Sequence, residues 1–152
     1  MLGTGHVPRG YIGSVIHATQ PGLDEIRITP LDAGELLLFR AVPTDDRDSP
    51  EFTRAFRSRL ELQLPPRGGT PEHRFRALAS GISVRDSGEA LVASVRHFRK
   101  KGRELGPYAA RLRLVGGQGF STARWGARYH LTVWGDPVKL AQSAVDIFYI
   151  DS

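Results

Sequence analysis

The 152-residue chain contains no cysteine. That absence excludes thiol catalysis, disulfide frameworks and cysteine-rich zinc sites. Lysine is scarce: Lys100, Lys101 and Lys139 are the three among 21 basic residues, and arginine supplies the rest. Long apolar runs are missing too. The longest, 36–39, is strand-sized, against the ~20 residues that a membrane-spanning helix needs. The first residues show no basic region followed by an apolar stretch, so they do not read as a signal peptide. These absences predict a soluble, cytoplasmic protein with no membrane partner. The bias toward arginine, alanine, glycine and proline fits a GC-rich bacterial genome.

Apolar residues make up 40% of the chain and charged residues 24%, which is globular rather than disordered composition. The length suits one domain, 1–152, with one core. Charge is unevenly spread. Residues 1–51 carry 4 basic and 8 acidic side chains, 52–128 carry 16 and 5, and 129–152 carry 1 and 3. The middle of the chain can therefore present a positive face to an anion, or simply a solvated arginine-rich surface.

Periodicity divides the chain into short elements. Segments 11–18 and 25–29 read as a hairpin around Pro21-Gly22. Glu35–Val42 is a strand whose near-continuous apolar run predicts a central position with both faces covered. Ser49-Pro50-Glu51 starts a helix that carries Phe52, Phe56 and Leu60 on one face and fails by Pro65-Pro66. Residues 77–84 form a strand. Asp86 and Glu89 have capping-box spacing at the head of a second helix, whose inner face holds Ala90, Leu91, Ser94, Val95 and Phe98. Tyr108–Val115 alternates, with Leu112 and Leu114 inward and Arg111 and Arg113 outward. A short strand at 120–123, a firm one at 128–134, a short helix capped by Asp136-Pro137 and a last strand at 145–150 complete the chain. This order predicts an α+β domain. Its mixed or mostly antiparallel sheet has about six strands, with two or three helices packed on it.

Five histidines, His6, His17, His73, His97 and His130, show neither HxH nor HxxxH spacing, which argues against a metal site. The GGQG run at 116–119 lacks the βαβ setting of a dinucleotide fingerprint. In 128–134, alternation places Arg128, His130, Thr132 and Trp134 on one side and Tyr129, Leu131 and Val133 on the other. The second set suits a core. The first set fits two readings: a ligand surface, or an outward face with Trp134 tucked under a loop. For a ligand, Arg would clamp a phosphate, His would donate or take a proton, and Trp would stack on a ring. Arg40, late in an apolar strand, either holds an anion or pairs with Asp45, Asp46 or Asp48. Ser80 and Ser83 flank Gly81, where a ligand could approach the backbone, or they are ordinary edge-strand serines.

Three segments together resemble the ADP-ribosyltransferase-like fold, including its toxin and tRNA 2'-phosphotransferase branches. They are "LLFRAV" with Arg40, "SGIS" with Ser80 and Ser83 ahead of a helix, and "RYHLTVWGD" with His130 and Asp136. The resemblance covers residues 35–150 and implies a cleft for NAD. The late glutamate of many members has no counterpart, since none follows Glu104; Asp136 would be a shorter substitute. The "RYHLTVWGDP" segment also looks like the ending of a group of actinobacterial open reading frames, a likeness that implies no function.

Three functions compete. The first is a small transferase using NAD or another nucleotide. Arg40, Arg128, Ser80, Ser83, Thr132 and Trp134 would bind the ligand, and His130 would be the catalytic group. The second is a basic RNA- or DNA-binding module that uses the arginines from Arg54 to Arg113. The third is a protein-interaction module, such as a toxin–antitoxin or immunity partner.

Overall fold

Leucines 112 and 114 alternate with Arg111 and Arg113, and this period of two builds an interior strand of a sheet. The computed structural model describes residues 28–58, 61–62, 81–124 and 130–151. Among these residues lie seven strands: β1 (Thr29–Pro30), β2 (Glu35–Val42), β3 (Ile82–Arg85), β4 (Tyr108–Val115), β5 (Ser121–Arg124), β6 (His130–Trp134) and β7 (Ala144–Tyr149). The same residues hold three helices: α1 (Pro50–Arg54), α2 (Gly88–Lys100) and α3 (Pro137–Gln142).

The strands form one sheet in the order β1-β5-β6-β3-β2-β4-β7, and every neighbouring pair is antiparallel. The α+β class is as expected, with one strand more than the expected six. Thr29–Pro30 adds the seventh by pairing with β5. The remainder of the predicted 11–18 and 25–29 hairpin lies outside the described residues, apart from Ile28. The longest ladder joins β2 to β4, from Glu35 opposite Val115 to Val42 opposite Tyr108.

Among the described residues, helices pack on both faces of the sheet. On the first face, Phe52 of α1, Phe56 just beyond it and Leu140 and Ala141 of α3 pack on Leu38, Val42, Val84, Leu112, Leu114, Leu131 and Val133. On the second, Leu91 and Val95 of α2 meet Ala109, Ile150, Phe39 and Ala41. Coverage of that face is uneven along β2. Leu37 stays 48% exposed and Val115 41%. The expected double coverage of β2 therefore holds only for its second half.

Two helix boundaries differ from the sequence pattern. The α1 helix starts as expected, with Ser49 Oγ accepting from Glu51 N at 3.2 Å and Pro50 in the first turn. It ends at Arg54 rather than running toward Pro65. Ala55 O accepts from the Arg40 side chain at 2.7 Å. Ser58 N then donates to Glu61 Oε1 at 2.8 Å, while Glu61 N donates to Ser58 Oγ at 3.1 Å. This reciprocal pair is a capping box, which starts a new turn instead of continuing the old one. Phe52 and Phe56 still share a face, with ring centroids 5.2 Å apart; Leu60 lies outside the described residues.

In α2 the cap is Ser87, whose Oγ accepts from Ala90 N at 3.2 Å, and not Asp86. The β3 strand runs to Arg85, one residue beyond the pattern, and this moves the cap along by one. Asp86 instead accepts from Arg124 Nη2 at 2.5 Å. At the other end of α2, Arg96 Nε donates to Asp151 O at 3.1 Å and Arg99 Nη1 to Ile150 O at 3.1 Å. No helix among the described residues is long and apolar enough to cross a membrane.

Replacing Ser87 by Ala removes a cap hydrogen bond and should cost about 1 kcal/mol of folding stability. Urea unfolding of the variant measures this directly.

Candidate functional site

The strands β2 and β3 meet at one register pair, Phe39 opposite Arg85. Arg40 bridges the seam beyond that point. Its Nε donates to Ala55 O at 2.7 Å and its Nη1 to Ser83 O at 2.6 Å. One guanidinium thus ties β2 to the end of α1 and to the backbone of β3. The partners expected for it, Asp45, Asp46 and Asp48, are not those bound in these two hydrogen bonds. Arg40 is well suited to the task because its planar fork presents donors in fixed directions.

Fixing the Ser83 backbone also fixes its side chain. Ser83 lies opposite Thr132 on β6, and Arg85 lies opposite His130. Antiparallel neighbours two residues out of step are close enough for longer side chains to meet. Ser83 Oγ and His130 Nε2 are 2.5 Å apart, a short hydrogen bond between half-buried groups.

Both residues line a cavity of about 250 Å³ between the second face of the sheet and α2. Its apolar wall comes from Leu91 and Phe98 of α2 and from Leu105. Its polar lining includes Arg85, Ser94 and Arg103 as well as Ser83 and His130, and Arg40 contributes to the wall. Arg103 lies 5.2 Å from the centre of the Phe98 ring, a cation–π distance. The turn that carries it is held by Glu104, which accepts from Arg99 Nε at 2.8 Å and from Gly106 N at 3.0 Å. The Gly106 N–H, followed by Arg99, holds the Glu104 carboxyl below its ordinary pKa.

Arg85 is the unusual member. Its Nη2 donates to Ser94 Oγ at 3.1 Å, but its Nη1 is buried with no hydrogen-bond partner. Burial lowers its pKa from the ordinary arginine value, yet a guanidinium keeps its proton in proteins. A buried cationic donor without an acceptor is costly, and a bound anion is one way to satisfy it.

The cavity brings together Arg40, Ser83 and His130 from the residues singled out in the sequence. Thr132 and Trp134 do not line it: they are 3% and 1% exposed. They pack against Gly81 instead, where an added Cβ would meet Thr132 Cγ2 at 2.7 Å and Val133 O at 2.8 Å. The close approach that Gly81 permits is therefore to its own neighbouring strand. Asp136 caps α3, with Oδ1 accepting from Val138 N at 3.0 Å. Ser80 and Arg128 lie outside the described residues. Among the described residues, no cluster of histidine and acidic side chains could hold a metal ion.

Arg85, Ser94 and Arg103 are additions that the sequence reading did not single out. Two of the three carried a signal. Arg85 sits two residues beyond Ser83, on the same side of a strand. Ser94 is a hydroxyl on the inner face of an otherwise apolar helix stripe.

An Arg40→Ala variant leaves two carbonyls without their charged donor and should lose about 3 kcal/mol of stability. Arg40→Lys should recover little of it, because one ammonium cannot reproduce the planar fork. Chemical denaturation of both variants checks the pair. No family model, curated protein or solved structure matches the chain.

Proposed function

We propose that the protein is an enzyme that binds a small phosphorylated ligand of the nucleotide class in the cavity between the sheet and α2. The observation that carries this reading is the buried, unpartnered Nη1 of Arg85 in the same cavity as the Ser83–His130 hydrogen bond. Arginine is the side chain best matched to phosphate, through parallel charge-assisted hydrogen bonds. His130 would move the proton.

The cavity volume of about 250 Å³ limits what fits. Sites for drug-sized ligands usually span about 300–1,000 Å³. A phosphate-bearing end of a nucleotide fits this space and a whole dinucleotide does not. The ADP-ribosyltransferase-like resemblance favours NAD or ADP-ribose as the ligand; most of either would then lie outside the cavity.

The nucleic-acid reading gains less support. Exposed Arg54 and Arg57 lie beside α1 on the first face, whereas exposed Arg96, Arg111 and Arg113 belong to the second. Arg113 is also paired with Glu35 at 2.7 Å. A groove that tracks a phosphate backbone needs its cations on one side.

Thermal melts with inorganic phosphate, ATP, ADP-ribose and NAD test the proposal. A ligand at 100 times its Kd should raise the melting temperature by about 5–10 °C in a domain of this size. Arg85→Gln should lose most of that rise. No rise at millimolar ligand, or an equal rise in Arg85→Gln, would favour the nucleic-acid reading, whose sign is RNA binding that weakens steeply with salt.

A further inference from the structure

We infer that Ser83 is a nucleophile and that the protein transfers a phosphoryl group through a phosphoserine at this position. The inference rests on the phosphate-binding reading of the cavity and adds the reaction to it. It stands on three placements. Ser83 Oγ is 2.5 Å from His130 Nε2, within the reach a general base requires. Arg85 projects from the same side of β3, two residues along, and its Nη1 is buried with no partner. All three line one cavity. A hydroxyl, a base and a guanidinium are the parts that phosphoryl transfer uses: attack, proton removal and neutralisation of the phosphate oxygens.

His130 Nε2 accepts the Ser83 Oγ proton as Oγ attacks phosphorus of a phosphate monoester or terminal phosphoanhydride. The Oγ–P bond forms and the bond from phosphorus to the leaving oxygen breaks. His130 returns the proton to that oxygen. Water then attacks the phosphoserine, giving a proton to His130 while the Oγ–P bond breaks. The proton goes back to Ser83 Oγ and inorganic phosphate leaves. No electrons are exchanged with an outside group. Arg85 holds the phosphate oxygens throughout and is a binding group rather than an acid or base.

The Ser83→Ala variant is a clean probe, because Arg40 binds the Ser83 carbonyl and not its hydroxyl. The bracket that joins β2 to β3 survives the change. Wild type, Ser83→Ala and His130→Ala are each treated with a fluorophosphonate probe, whose fluoride leaves when an activated serine attacks phosphorus. Intact-mass and peptide analysis then locate the adduct. The expected result is one adduct on Ser83 in wild type, none in Ser83→Ala, and labelling slowed by about 100-fold or more in His130→Ala. Turnover of p-nitrophenyl phosphate should follow the same order, with p-nitrophenyl acetate turned over far less well. Wild type that shows the ligand-dependent rise in melting temperature but no adduct on Ser83 overturns the nucleophile and leaves phosphate binding standing. An adduct on Ser83 combined with turnover of the acetate alone overturns phosphoryl transfer. Absence of both the adduct and the melting-temperature rise overturns this inference and the reading beneath it together.

Discussion

Arg40 closes the seam between β2 and β3 with a side chain, in a place where sheets ordinarily use a backbone ladder. Its hydrogen bonds to Ala55 O and Ser83 O reach an element on each side. The first takes the carbonyl at the end of α1. The second sets the height of the β3 backbone and thereby places the Ser83 hydroxyl against His130. Buried charge is expensive unless its donors are matched, so this guanidinium tolerates few other arrangements of the three elements. Fold and site share one fastening.

The cavity follows from what the second face of the sheet carries. The larger core cluster, with Phe52 of α1, Phe56 and Leu140 and Ala141 of α3, lies on the first face. On the second face α2 packs against the partly buried Phe39 and Ala41 and leaves space where the sheet carries Ser83, Arg85 and His130 in place of aliphatic residues. Polar side chains on the inner side of a sheet–helix interface keep their distance or find partners. Here one partner is Ser94, and the remaining space is the cavity.

Legibility in the sequence varied with how local the cause was. Strict alternation fixed Tyr108–Val115 to the residue, with Arg111 and Arg113 exposed and Leu112 and Leu114 buried. The cap at Asp136 was equally plain, because its signal spans two residues. The short α1 was not legible. Phe52, Phe56 and Leu60 keep a helical period, yet the break comes from Arg40, many residues earlier, and from the Ser58–Glu61 box. The side expected to face a ligand on β6 split for a similar reason. Alternation correctly groups His130, Thr132 and Trp134, but only the neighbouring strands decide which of them is covered. Thr132 and Trp134 are buried, with Gly81 packed against both, whereas His130 lines the cavity. Spacing puts Arg85 on the same side of its strand as Ser83, but the burial of its Nη1 is a tertiary fact that no local pattern carries.

The α2 helix roofs the cavity, and its far end is fastened by Arg96 and Arg99 to the carbonyls of Asp151 and Ile150. Ile150 N in turn donates to Pro107 O at 2.8 Å, beyond the turn that carries Arg103. The roof is therefore held at both ends. It continues from β3 through Asp86 and its cap Ser87 at one end, and the last described residues tether it at the other. Backbone carbonyls that never touch the cavity thus help to place the side chains above Ser83 and His130.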